Sequence, residues 1–211
     1  MFKKFFLFQK FKPRKWKKYS FDKRLEVIQK IENFYAKKQN RKPVEVVPRN
    51  DFVSTLYGSA SYVNQIIFIN SSLLTDSSKQ FLLLSTILHE GRHIYQSGVV
   101  NKSYNDGRIP RFSKAYSWMN SSDGYISYEE NKDNYVDYAN QSVELDANSY
   151  ALKQLKKLKR KFKNDVNYQA EIINLTNWFE NAKTEGRKKY GFFYKFKIRR
   201  KNKKQRKLNK F

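Results

Sequence analysis

His89-Glu90-Gly91-Arg92-His93 places two imidazoles four residues apart with a carboxylate next to the first. On a helix, positions i and i+4 lie one turn apart on the same face, so His89 and His93 can offer ring nitrogens to one metal ion. Glu90 then stands beside them, within reach of a metal-bound water. The chemistry of that set is hydrolysis: zinc lowers the pKa of its bound water towards about 7, and Glu90 as catalytic base takes the proton and passes it to the leaving group. The chain has two histidines, and both fall in this motif.

A catalytic zinc ion usually takes three protein ligands and keeps a fourth position for water. There is no third histidine and no cysteine, so the third ligand must be a carboxylate. Asp106, Asp123, Glu129, Glu130, Asp133, Asp137, Glu144 and Asp146 all lie downstream of the motif. Glu144 is the choice on packing grounds. With Ala147 and Ala151 it lines one helical face, where small side chains let two helices approach closely. Asp146 is kept as a residue that orients the ligands. An oxyanion donor is still wanted. A tyrosine is expected there, with Tyr128, Tyr135 and Tyr138 left unranked. Arg92 points elsewhere on the helix and reads as structural.

These side chains need elements to hold them. The apolar run Phe81 to Leu88 buries the motif on a helix expected from about Ser77 to Gln96. Thr75-Asp76-Ser77-Ser78 supplies caps before it, and Gly98 closes it. Upstream, Phe21, Leu25, Ile28, Ile31, Phe34 and Tyr35 recur at helical spacing after the N-cap candidate Ser20, and Asn40 with Pro43 marks the stop. Residues 44–70 change to short β-branched runs broken by turn-forming residues, which predicts a small antiparallel sheet with a hairpin through Gly58. Residues 99–132 read as a long polar loop or a partly ordered excursion, packed through Trp118, Tyr125 and Tyr128. Helix is expected again from about 132 to 162, broken near Asn140, and once more after Asp165. The fold class is α+β, mainly helical, with the sheet beside the HExxH helix.

His89-Glu90-x-x-His93 followed by Glu144-x-Asp146-Ala147-Asn148-x-Tyr150-Ala151 resembles the HExxH zinc metallopeptidases of gluzincin type. Within them it is similar to the ImmA/IrrE group and to toxin-like peptidases of bacterial mobile elements. The resemblance covers roughly residues 63–155. It implies a minimal zincin-like fold, Zn2+ held by His89, His93 and Glu144, Glu90 as the base, and a peptide or protein substrate. It also implies a sheet edge over the metal cleft that pairs with an extended substrate. The longer motif with a third histidine is missing, since Val99 stands at that position, and no helix-turn-helix segment is evident.

Formal net charge is +25. Of the 44 basic residues, eight lie in 1–18 and thirteen in 186–211, neither stretch holding an acid, so the middle carries 23 against all 19 acids. The expected division is a basic aromatic arm over 1–19, a metallopeptidase domain over 20–185 and a basic tail over 186–211. Cations interleaved with aromatics suit nucleic acid or another polyanion, with an anionic membrane surface as the weaker alternative. The rival function is therefore a nucleic-acid-binding protein of a mobile element, its zincin core a non-catalytic scaffold. The apolar start Phe5 to Phe8 is too short for a signal peptide, and no run is long enough to span a bilayer. A cytoplasmic location is expected; oligomeric state is left open.

Overall fold

The computed structural model describes residues 7–53, 56–105, 113–123, 125, 135–195, 197–198 and 200–202. Most of them are helical, with one three-stranded sheet, and the fold is a mainly helical α+β fold. The chain divides into two compact units, one made of Met1–Tyr95 and Tyr150–Ile173, the other of Gln96–Ser149 and Asn174–Phe211.

In the first unit, α1 (Pro13–Trp16) is followed by α2 (Phe21–Lys38). Ser20 caps α2 by accepting from the Lys23 amide at 3.3 Å, which satisfies one of the donors that a helix start leaves without an intrahelical partner. Val27, Ile28, Ile31 and Tyr35 bury its apolar face, whereas Phe21 stays exposed. Residues 1–19 are read from sequence as an arm, yet Phe8, Phe11 and Trp16 are fully buried. Phe11 meets Trp16 at 5.1 Å and Phe81 at 5.7 Å between ring centroids, and Phe81 meets Phe162 at 5.1 Å. The lysines between these rings face water, so a strongly basic composition coexists with an aromatic core.

The strands are β1 (Glu45–Arg49), β2 (Gly58–Ser61) and β3 (Ile66–Asn70), in the order β1-β3-β2. β2 runs antiparallel to β3, but β1 runs parallel to it, so the sheet expected to be antiparallel is mixed. The sheet is mixed because β1 pairs with β3 and not with β2, and the hairpin is also displaced from Gly58. Gly58–Ser61 pairs as a strand, and the turn falls at residues 62–65, where Gln65 takes φ +55.

After α3 (Ser72–Thr75) and a short 3-10 turn, α4 (Gln80–Asn105) carries the motif. Asp76 caps the turn by accepting from the Ser78 amide at 2.8 Å. Phe81, Leu83, Leu84, Ile87 and Leu88 are all buried, so α4 enters the motif already packed almost all round. It does not stop at Gly98. Val100 continues the buried face one turn on, and with that packing available a single glycine costs too little to end a helix.

The second unit holds α5 (Lys114–Asp123), within the stretch expected to be loop, and α6 (Tyr135–Ala139). α7 (Ser142–Lys156) begins in this unit after a break at 140–141, as expected near Asn140. α8 (Lys159–Phe162) follows, and Asp165 then caps α9 (Val166–Tyr190) by accepting from the Tyr168 amide at 3.0 Å. No helix among the described residues is long and apolar enough to cross a membrane.

Candidate metal centre

His89 and His93 face each other on α4 with their Nε2 atoms 2.9 Å apart, ring centroids 4.6 Å apart and planes at 83°. Among the described residues, His89, His93 and Glu144 form a group of ligand-type side chains able to hold a metal ion. One ligand atom from each lies within 4.8 Å of the others. Ligand atoms around one tetrahedral ion with bonds of about 2.0–2.1 Å stand about 3.3 Å apart, a spacing that falls inside that 4.8 Å limit. Two imidazole nitrogens and one carboxylate also make a donor set that leaves a fourth position open, so the residues present fit a metal ion of the zinc kind.

Glu144 is 1 % exposed, in the first turn of α7, where the helix N-terminus favours a negative charge. Two tyrosines hold its carboxylate, one at each oxygen. Tyr125 donates to Oε1 at 2.9 Å and Tyr138 donates to Oε2 at 3.0 Å, their rings perpendicular at 6.2 Å. Ser142, which opens α7, is fixed in turn by α5. Its hydroxyl donates to Ser117 O at 2.9 Å, and its amide donates to Ser121 Oγ at 3.2 Å. The polar stretch before α7 therefore sets the position of the carboxylate.

Glu90 is 8 % exposed and is backed by the sheet. A Cβ built on Gly58 of β2 would lie 3.3 Å from Glu90 Cγ and 2.6 Å from Thr86 Cγ2. The edge strand β2 thus lies directly against the motif helix, and only glycine allows that approach. Gly91 is likewise pressed on the far side by a buried bidentate ion pair, Arg41 donating from Nη1 and Nη2 to Glu32 at 2.7 Å each. Arg92 stands over two tyrosine rings, 4.3 Å from the Tyr95 centroid and 5.0 Å from that of Tyr150.

Asp146 is not in the ligand group. It accepts from Gln96 Nε2 at 3.0 Å, the same nitrogen that donates to Val143 O, and so ties the start of α7 to the turn of α4 after the motif. Of the three tyrosines considered as oxyanion donors, Tyr138 is engaged with Glu144, Tyr135 opens α6, and Tyr128 lies outside the described residues. Tyr125, expected only to pack, is the residue the sequence reading missed; no spacing rule links position 125 to 144. Compared with known proteins, the chain matches no family model, no curated protein and no solved structure.

Proposed function

We propose that this chain is a zinc-dependent metallopeptidase of the HExxH type, similar to the ImmA/IrrE group, that hydrolyses a peptide bond. The observation that carries this is the grouping of His89, His93 and Glu144 with Glu90 next to the first ligand. Zinc, when bound, supplies Lewis acidity towards a carbonyl and makes water a nucleophile near neutral pH. The chain's own residues do the rest. His89, His93 and Glu144 hold the ion, with Tyr125 and Tyr138 orienting the Glu144 carboxylate. Glu90 accepts a proton from the attacking water on its carboxylate and delivers it to the departing amine. Among the described residues no strand pairs with the outer edge of β2, next to Glu90, and that edge would suit an extended peptide backbone. A cytoplasmic setting is part of the same proposal.

Metal analysis of the purified chain tests it. About one zinc per chain is expected, lost in His93→Ala, while Glu90→Gln keeps the metal and loses hydrolysis of a peptide library. A chain that takes up no zinc, or a Glu90→Gln variant as active as the wild type, refutes the proposal.

A further inference from the structure

We propose that the segment following α9 is a preformed platform for single-stranded nucleic acid, with Phe192 and Phe193 as its stacking rings. This inference stands apart from the metal centre and rests on how the basic segment is seated in the second unit. Gly191, at φ +73, turns the chain after Tyr190, and its amide closes the helix on Arg187 O at 2.7 Å. Helical turns follow, and their apolar side is spent on the fold: Tyr194 is 5 % and Ile198 2 % exposed. Tyr194 sits so close to α9 that a Cβ on Gly186 would lie 2.6 Å from its ring. Asn202, also buried, donates to Gln141 Oε1 at 2.9 Å.

Asp137 completes the anchorage. Its carboxylate is fully buried and takes Tyr190 OH at 2.5 Å, Lys189 Nζ at 3.3 Å and Lys201 Nζ. The segment is therefore fixed on both sides of the rings. What it presents outward are Phe192 at 84 % and Phe193 at 71 % exposure, set edge to face at 5.5 Å. Arg187, Lys195 and Lys197 flank them, all exposed, within a stretch of thirteen cations and no acid.

Exposed aromatic rings between cations recognise a strand whose bases are free to stack and whose phosphates are regularly spaced. An interfacial membrane helix needs a continuous apolar face to bury. Here Tyr194 and Ile198 have already turned their side inwards, leaving among the described residues two rings and a cationic surface. Because stacking reads no base edge, little sequence preference is expected.

The full chain is titrated into fluorescein-labelled oligo-dT of about twenty nucleotides, followed by anisotropy at two salt concentrations. In parallel it is sedimented with phosphatidylserine–phosphatidylcholine vesicles. Phe192→Ala/Phe193→Ala, whose rings are exposed and whose loss leaves the fold intact by circular dichroism, is expected to weaken oligo-dT binding about thirtyfold or more. Lys195→Gln/Lys197→Gln is expected to reduce the salt slope by about 1.4. Three outcomes overturn the proposal: no binding to oligo-dT, a double-Phe variant that binds it like wild type, or a double-Phe variant that loses only vesicle binding. None of these bears on the metal centre, because Glu90→Gln leaves the platform untouched.

Discussion

Gly58→Ala tests whether β2 is seated against the motif helix as closely as the geometry requires. The new methyl would meet Thr86 Cγ2 at 2.6 Å, Phe68 O at 3.1 Å and Glu90 Cγ at 3.3 Å. Carbon atoms prefer separations of about 3.5–4.0 Å, so roughly 1 Å of relief is needed at Thr86. Phe68 O is β3 backbone, held by pairing with β2 itself, and cannot yield. Thr86 is buried, and its hydroxyl donates to Leu82 O at 2.9 Å, so rotating the side chain gives up that bond as well as its rotamer. Overpacking of this kind costs about 1–3 kcal/mol, a fall in Tm of about 2–12 °C for a chain of this size. Thr86→Ser removes Cγ2 and keeps the hydroxyl. The double variant should regain most of the loss, with a coupling of about 1–2 kcal/mol in a cycle of four urea unfolding curves. A Gly58→Ala variant within about 0.5 kcal/mol of wild type, or a double variant that is simply additive, refutes the close seating.

Gly91→Ala would set a methyl 2.7 Å from Arg41 Nη2, and moving that guanidinium strips a partner from Glu32, which is itself 0 % exposed. A loss of about 1–3 kcal/mol is expected by urea unfolding, below the full cost of breaking a buried pair; a neutral variant contradicts that arrangement. At Glu171, burial pushes the carboxyl pKa above its usual range, with the Ser85 hydrogen bond opposing. The native state then holds this proton longer than the unfolded chain does. Its contribution to stability is complete below the ordinary glutamate range and is lost as pH rises through the raised value. Glu171→Gln should gain on wild type as pH is raised from about 4 to 8 in urea titrations, and a gap that does not change with pH refutes this. Tyr125→Phe and Tyr138→Phe each remove one bond to Glu144 and should weaken zinc binding about 10- to 100-fold by chelator competition; wild-type affinity in both denies them an orienting role.

The motif helix and the cap ahead of it, the α2 face and the break at Asn140 were legible because each follows from local periodicity or from a residue with one dominant backbone habit; the stop at Gly98 was not, because α4 runs on to Asn105. The ends were not, and the reason is specific. Charge composition reports what a segment shows to water and says nothing of its other side. Phe8, Phe11 and Trp16 lie among lysines, and Tyr194, Ile198 and Asn202 recur at four-residue steps inside the basic run, an inward face hidden by the thirteen cations around it. The hairpin was misplaced for a related reason: Gly58 looks like a turn residue, whereas its lack of a Cβ serves the approach to Thr86 and Glu90.

Polar anchors were the hardest to read, and α6 shows why. This five-residue helix carries Asp137 and Tyr138 side by side. Asp137 collects Lys189, Tyr190 and Lys201, while Tyr138 donates to the Glu144 carboxylate. Burial pushes the Asp137 carboxyl up, but the Lys201 ammonium, the Tyr190 hydroxyl and the Lys189 charge together hold it below the usual aspartate range. It therefore remains an anion at neutral pH and keeps its grip on the basic segment. Adjacent residues on a helix point about 100° apart, so one short turn can hold the candidate ligand on one side and anchor the C-terminal segment on another. Sequence spacing places both side chains on the helix, but their partners lie more than fifty residues downstream for Asp137 and six for Tyr138, and only the fold brings those partners to them.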